Sequence, residues 1–266
     1  MKNLFSIAAL YFMFNSALAQ TPNAAPLINS VKAITDTSIN KTDKNGLKQG
    51  FWREMAGNVK TDGFYVNDKK QGAFKTYFAD GMLNKLEEYD AGLKNGLSID
   101  IKAGGKIRKQ CFYKQDKIDG TYKLYFDHGK VEMEQEYING VMNGPKKVYY
   151  QNGKMQEETI YINDKRDGVT KWYTDKGKLS IEYTYVLGSL EGPQKTYYAE
   201  DGALNTVTIY KGNAMNGDYV EYFEDGKTIK IAGPYLNDKK NGAWKEFDKT
   251  GKVMSTQNYK NDVLVK

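Results

Sequence analysis

A glycine returns at a nearly fixed interval along this chain: Gly50, Gly72, Gly96, Gly120, Gly144, Gly168, Gly192, Gly217 and Gly242, at steps of 22, 24, 24, 24, 24, 24, 25 and 25 residues. A second glycine sits inside each unit, at Gly57, Gly81, Gly105, Gly129, Gly153, Gly177, Gly202, Gly226 and Gly251. A tyrosine follows that mid-repeat glycine by eight residues, or nine once: Tyr65, Tyr89, Tyr113, Tyr137, Tyr161, Tyr185, Tyr210, Tyr235 and Tyr259. A period of this size marks a stacked repeat, in which each unit buries its apolar side against its neighbours.

The unit beginning at Gly144 shows what one repeat folds into. Lys147-Val148-Tyr149-Tyr150 is rich in strand formers, Asn152-Gly153 supplies a turn, and Ile160-Tyr161-Ile162 is again strand-like. Asn163 to Asp167 then closes the unit before Gly168. Two strands and two turns fill about 24 residues and leave no room for a helix. The expected fold class is therefore all-β: an elongated single-layer antiparallel sheet of about nine tandem β-hairpin repeats, roughly 85 Å long at about 4.8 Å per strand. The array spans 45–266. The shorter first unit reads as an end unit, and Val263-Leu264-Val265-Lys266 as a closing strand.

Position inside the unit predicts packing. Five residues after the frame glycine stand Tyr77, Tyr125, Tyr149, Tyr173, Tyr197, Tyr222 and Phe247, with Met55 and Ile101 in two units. Two residues after the mid-repeat glycine stand Leu83, Ile107, Val131, Met155, Leu179, Leu204 and Val253. A three-residue loop with its glycine in the left-handed conformation sets these two groups opposite each other. Counting by twos puts the unit-ending tyrosine on the same face, as a ladder of rings. The residue before the frame glycine is Gln49, Gln71, Asn95, Asp119, Asn143, Asp167, Glu191, Asn216 or Asn241, always with an acceptor oxygen for turn amides.

The run Tyr-x-Asn-Asp-Lys-x-x-Gly, followed by an aromatic and then Gly-Lys-(Leu/Val/Met), is clear at Tyr65 to Lys69, Tyr161 to Lys165 and Tyr235 to Lys239. This pattern resembles the MORN repeat, in the variant form of bacterial YwqK-type antitoxin proteins. The resemblance implies a twisted sheet of hairpins (a MORN-like solenoid) that acts in binding or assembly, and an immunity or antitoxin role as one outcome.

The N-terminus reads as an export signal over residues 1–19: Lys2, an apolar stretch from Leu4 to Phe14, and Ala17-Leu18-Ala19 before Gln20. Residues 20–44 form a linker, with an initial strand between Ser30 and Asn40. An exported protein, periplasmic or extracellular, is expected, and no later run is long enough to span a bilayer. The single cysteine, Cys111, rules out internal disulfides and reads as a small buried filler.

No catalytic set is present. His128, the single histidine, falls in a turn, and one histidine with one cysteine makes no metal cluster without carboxylates. Glu87-Glu88 and Glu157-Glu158 point to opposite faces of a strand. No catalytic residue, cofactor or metal is expected. The formal charge of +6, or +5 without Lys2, comes from 39 basic residues interspersed with 33 acidic ones, which is no nucleic-acid footprint.

One stripe is a candidate surface. Three residues after the frame glycine stand Arg53, Lys75, Lys123, Lys147, Lys171, Lys195 and Lys245, a row of cations two strands apart at about 10 Å intervals. Glu54, Glu221 and Glu246 are expected to stand next to the stripe and weaken its field. The expected partner is a protein on a non-catalytic scaffold. The alternative is an anionic envelope polysaccharide or lipid held by the stripe.

Overall fold

The alternation of turn and strand signals is realised as one open antiparallel sheet without a helix. It is seen in a computed structural model that describes residues 39–265. By contact the chain divides into Met1–Ser38 and Ile39–Lys266, and the sheet lies in the second unit. The expected signal segment and nearly all of the expected linker lie outside the described residues. The first described strand is Lys41–Thr42, paired with Lys48 and Gln49, just ahead of the expected array boundary. The twenty-three described strands pair antiparallel with their neighbours in chain order, except that the two-residue strands Lys117–Ile118, Ser189–Leu190 and Lys239–Lys240 pair only with the strand before them, which also takes the strand that follows.

The mid-repeat turn forms as its glycine predicts. In the turn at Gly153, Tyr150 N–H donates to Lys154 O at 2.9 Å and Gly153 N–H donates to Tyr150 O at 2.8 Å, with Gly153 at φ +88°. That is a three-residue loop with glycine left-handed. The 25-residue steps add their extra residue here: Tyr198 closes on Ala203 and Phe223 on Thr228. The short first unit uses the two-residue turn Gly57-Asn58 between paired Ala56 and Val59. Opposed pairs follow as expected: Tyr77 with Leu83, Tyr149 with Met155, Tyr173 with Leu179, and Phe247 with Val253.

The other turn is tighter than the sequence suggested. Asn163-Asp164 alone makes it, with both residues left-handed at φ +49° and +64°, and Lys165 and Arg166 are already strand. Asn and Asp tolerate this conformation because their short polar groups bond locally. The frame glycine is not at a turn but in the following strand, opposite the unit tyrosine: Gly144 with Tyr161, Gly168 with Tyr185, Gly217 with Tyr235. All nine frame glycines have positive φ. At Gly144 (φ +122°) the strand bulges, and a Cβ there would meet the Glu136 Cβ at 2.9 Å.

One expectation is corrected by the register. The strand after each three-residue loop carries a bulge, so Tyr149 faces Met155 while Val148 faces Glu157. The extra residue reverses the alternation. The unit tyrosines therefore lie on the opposite face from Tyr149 and its equivalents, and the two sets do not form one ladder.

The unit tyrosines define a ring face, where the core sits. Its best-packed part is Trp52, Tyr65, Phe74 and Tyr89, in edge-to-face contact at 6.0, 5.3 and 5.2 Å between successive rings. Tyr219, Tyr235 and Trp244 form a second cluster. Cys111 is fully buried here, opposite Ser98, and burial pushes its thiol pKa up. Thr159 and Thr170 meet through their hydroxyls at 2.6 Å.

Candidate functional site

The face opposite the rings is built from the residues one, three and five places after each frame glycine and from their partners on the next strand. The seven stripe cations all lie on it, as the two-residue alternation requires. The intervening strands supply what counting from the frame glycine could not. Lys123 pairs with Glu134, Glu134 with Lys147, Lys147 with Glu158, Glu158 with Lys171, Lys171 with Glu182, and Glu182 with Lys195. The row is thus one of alternating sign, one charge per strand, rather than one of cations alone.

Ion pairs run along it. Lys123 Nζ lies 3.1 Å from Glu134, Lys171 Nζ 3.5 Å from Glu158, and Lys195 Nζ 3.9 Å from Glu182. The hydrogen bond to Glu134 raises the Lys123 pKa. Tyr173 donates to Glu158 at 2.7 Å and Tyr197 to Glu182 at 2.7 Å. Burial, and then that acceptor, push the Tyr173 hydroxyl up to about 12. Arg53 is held by Asp62 at 2.9 Å, and Asp62 pairs in turn with Lys75. Lys245 pairs with Ala232 and Thr256 and so stands outside the alternating stretch.

Glu54, Glu221 and Glu246 do not border the row. They pair with Thr61, Ile231 and Ser255 on the ring face. Glu157 and Glu158 are divided between the faces as expected, with Glu157 opposite Trp172 and Glu158 opposite Lys171.

Beside the charge row, toward the two-residue turns, the same face carries exposed aliphatic side chains: Ile138 at 52%, Ile160 at 49%, Val169 at 46% and Val186 at 51%. They come from four of five consecutive strands, and Pro145, opposite Ile160 on the fifth, joins them. Phe64 and Phe112 stand at the place of Ile160 in units nearer the N-terminus and are also exposed. In the sequence Ile138, Ile160 and Val186 stand next to the unit tyrosines Tyr137, Tyr161 and Tyr185, and Val169 next to the frame glycine Gly168. Their outward direction follows from the tyrosine pointing inward.

A second cation set, unread in the sequence, belongs to the ring face. Two residues before the frame glycine stand Lys48, Lys70, Lys94, Arg166 and Lys240. Lys70 Nζ lies 4.8 Å from the Phe74 ring centre and 4.6 Å from that of Tyr89; Lys240 Nζ lies 4.2 Å from Trp244 and 5.2 Å from Tyr259. These cations cover rings with their stems and close that face.

The acceptor residues before the frame glycines serve the turns. Gln71, Asp119, Asp167 and Glu191 accept from the backbone N–H of Ala91, Asn139, Leu187 and Gly212 at 2.8–3.0 Å. Where the turn ends in Asp, the turn itself supplies the acceptor. Asp116 takes the N–H of Lys94 at 2.7 Å, Asp164 that of Met142 at 2.8 Å, and Asp238 that of Met215 at 2.7 Å. His128 lies exposed in its turn, with Nε2 2.7 Å from Gln151 O. Among the described residues no group of three or more His, Cys, Asp or Glu is placed to hold a metal. No helix there is long and apolar enough to cross a membrane.

Four segments, residues 118–139, 142–163, 166–186 and 240–261, match the MORN repeat variant family. MORN repeats are commonly protein- or membrane-interaction repeats, and the family is generally non-enzymatic. No curated protein matches the chain. Among solved structures it is similar to one titled "Crystal Structure of TcdB2-TccC3", at 14% identity and a TM-score of 0.18, over 81% of this chain and 15% of that one. A second, "Crystal Structure of TcdB2-TccC3 without hypervariable C-terminal region", gives 15% identity, a TM-score of 0.18 and the same shares. At those scores neither likeness bears on what this chain does.

Proposed function

We propose that this chain is an exported, non-catalytic scaffold that binds a protein through the face carrying the alternating charge row. The observation that carries this is the inequality of the two faces. On the ring face, aromatic side chains pack on one another and cations cover them. On the charge face, aliphatic side chains from strand after strand stand about half exposed. A run of apolar groups beside fixed charges is what a protein interface buries at its centre and its rim. Export rests on Lys2, the Leu4 to Phe14 stretch and Ala17-Leu18-Ala19.

An anionic polysaccharide or lipid fits this face less well. Between Lys123 and Lys195 four lysines alternate with three glutamates, so the field they project largely cancels beyond a Debye length. No feature of the described residues favours an antitoxin role over another protein partnership.

The test is capture from envelope extract of the source organism by residues 20–266, eluted with rising salt, beside the Ile160→Glu, Val169→Glu variant. The expected result is one dominant protein that survives high salt on the parent and is lost on the variant. Retention unchanged in the variant refutes the apolar strip as the site. Release of glycan or lipid alone at modest salt transfers the function to the charge row.

A further inference from the structure

The alternating row is self-complementary, and we infer that the protein docked on this face is a second copy of the chain, placed face to face about a two-fold axis between the strands Met155–Ile162 and Lys165–Tyr173. The inference rests on the scaffold reading above and names its partner.

The argument is one of register. Lay a second sheet over the first with the axis parallel to the strands. Height along the strand is then preserved, and strand order is reversed. The axis brings Glu158 against Lys171 of the copy, Lys147 against Glu182, and Glu134 against Lys195, and the symmetry repeats each pair. All six facing positions are of opposite sign. An axis running through a strand sets like against like, so the charges admit only axes between strands; of the two such axes that oppose six charges, the other, between Val141–Tyr149 and Met155–Ile162, would set Glu136 over Val169, and the apolar tier selects this one. Because height is preserved, the flanking tiers also meet their equivalents. Ile160 comes over Val169 of the copy, and Met155 over its Tyr173. At the axis the facing charges lie between Ile160 over Val169 on one side and Met155 over Tyr173 on the other, and Glu158, Lys171, Glu182 and Lys195, already ion-paired within their own sheet, gain a second partner across it.

The size is sufficient. Six strands at about 4.8 Å and eight residues at about 3.3 Å give a face of roughly 750 Å² per copy, close to the about 800 Å² per partner of a stable interface. Aligned sheets pack about 10 Å apart, a gap that facing lysine and glutamate side chains span. The contact is isologous and closes as a dimer.

The experiment is sedimentation equilibrium of residues 20–266, alone and with two charge reversals, Glu158→Lys and Lys171→Glu, each first checked for unchanged β circular dichroism. The parent is expected to dimerise. Each variant alone sets two like-charged pairs face to face and is expected to dimerise about tenfold more weakly or worse. Mixed in equal amounts, the two variants become complementary at both positions and are expected to recover the dimer as a heterodimer. A loss caused by local unfolding of either chain is not repaired by mixing. A parent that stays monomeric at about 100 μM, where a micromolar dimer is nearly complete, overturns the inference, as does a mixture no tighter than the variants alone. A monomeric parent that still captures another protein through Ile160 and Val169 overturns self-docking and leaves the scaffold reading standing.

Discussion

Gly233 is neither a frame glycine nor a mid-repeat one, and its backbone φ is not positive, so alanine ought to be harmless there by conformation alone. Space is what forbids it. A Cβ on Gly233 would lie 2.3 Å from Cδ2 of Trp244, where carbon atoms in contact sit about 3.5–4.0 Å apart. The indole has nowhere to go. Its Nε1 donates to Pro234 O at 3.0 Å, Tyr219 stacks on it at 5.5 Å, Tyr235 abuts its edge at 5.0 Å, and Lys240 lies over it at 4.2 Å. Overpacking of this kind costs about 1–3 kcal/mol if neighbours yield. Eviction of a buried aromatic costs about 3–5 kcal/mol. Gly233→Ala is therefore expected to lose about 3 kcal/mol in urea unfolding followed by tryptophan emission. Gly168→Ala is the control: its φ is +78° with no atom within 4 Å of the added Cβ, so it loses only the left-handed penalty of about 1–2 kcal/mol. In a Trp244→Ala background Gly233→Ala should become neutral or gain about 0.5–1 kcal/mol, because alanine is then free of the ring and stiffer in the unfolded chain. An unchanged cost in that background refutes the steric argument.

The turn rails offer a transplant. Asp164→Gly removes the acceptor of the Met142 N–H and should cost about 1 kcal/mol, with faster hydrogen exchange at Met142. Adding Asn143→Asp copies the neighbouring unit, where Asp119 serves the Asn139-Gly140 turn, and should restore most of the loss; no recovery refutes the exchange of acceptors. The tyrosines predict alkaline behaviour. Burial first, and then neighbouring carboxylates, hold Tyr89, Tyr173 and Tyr219 up at about 12. Above about pH 10 the unfolded chain loses phenolic protons that the folded chain keeps, so stability is full below pH 10 and falls between about 10 and 12. The tyrosinate absorbance that Tyr89→Phe, Tyr173→Phe or Tyr219→Phe removes should be amplitude that rises late, together with loss of β circular dichroism; amplitude removed near pH 10 from the folded protein contradicts the burial.

The spacing of glycines was enough to read the hairpins, the three-residue loops and the pairs such as Tyr149 with Met155. It was not enough to read the faces. Counting by twos from Met155 puts Tyr161 beside Tyr149, and one bulged residue between Met155 and Glu157 reverses that. No residue type at position 156 announces the bulge, because its cause is the twist of a three-residue loop closing on a ladder. The same step hid the acids of the charge row. Lys147 and Glu158 are brought opposite only when the bulge is counted, whereas plain alternation sets Glu54 and Glu246 on the other face from Arg53 and Lys245, and Glu221 on the other face from Val220. Gly63 and Gly233 were legible in retrospect. Each stands 11 residues before the ring it accommodates, Phe74 and Trp244, and each falls outside the glycine period.

The alternating charges are not a demand of the fold. The same tier of the sheet continues on both sides of the row in unbroken register, and there it carries other residues. Lys75 pairs with Leu86, Leu86 with Ile99, and Ile99 with Gln110 before Lys123 is reached. Past Lys195 come Val207, Val220 and Ala232. Hairpins with leucine, isoleucine or valine at this height pair as well as hairpins with lysine and glutamate, so sheet formation alone does not select the charges. They occupy seven successive strands from Lys123 to Lys195. Within that stretch stand Ile138, Ile160, Val169 and Val186, half exposed on the same face. Folding requires neither the sign alternation nor exposed aliphatics beside it, and their coincidence on one stretch of one face is what a docking surface requires. The strands on either side then act as the frame that holds those seven in register.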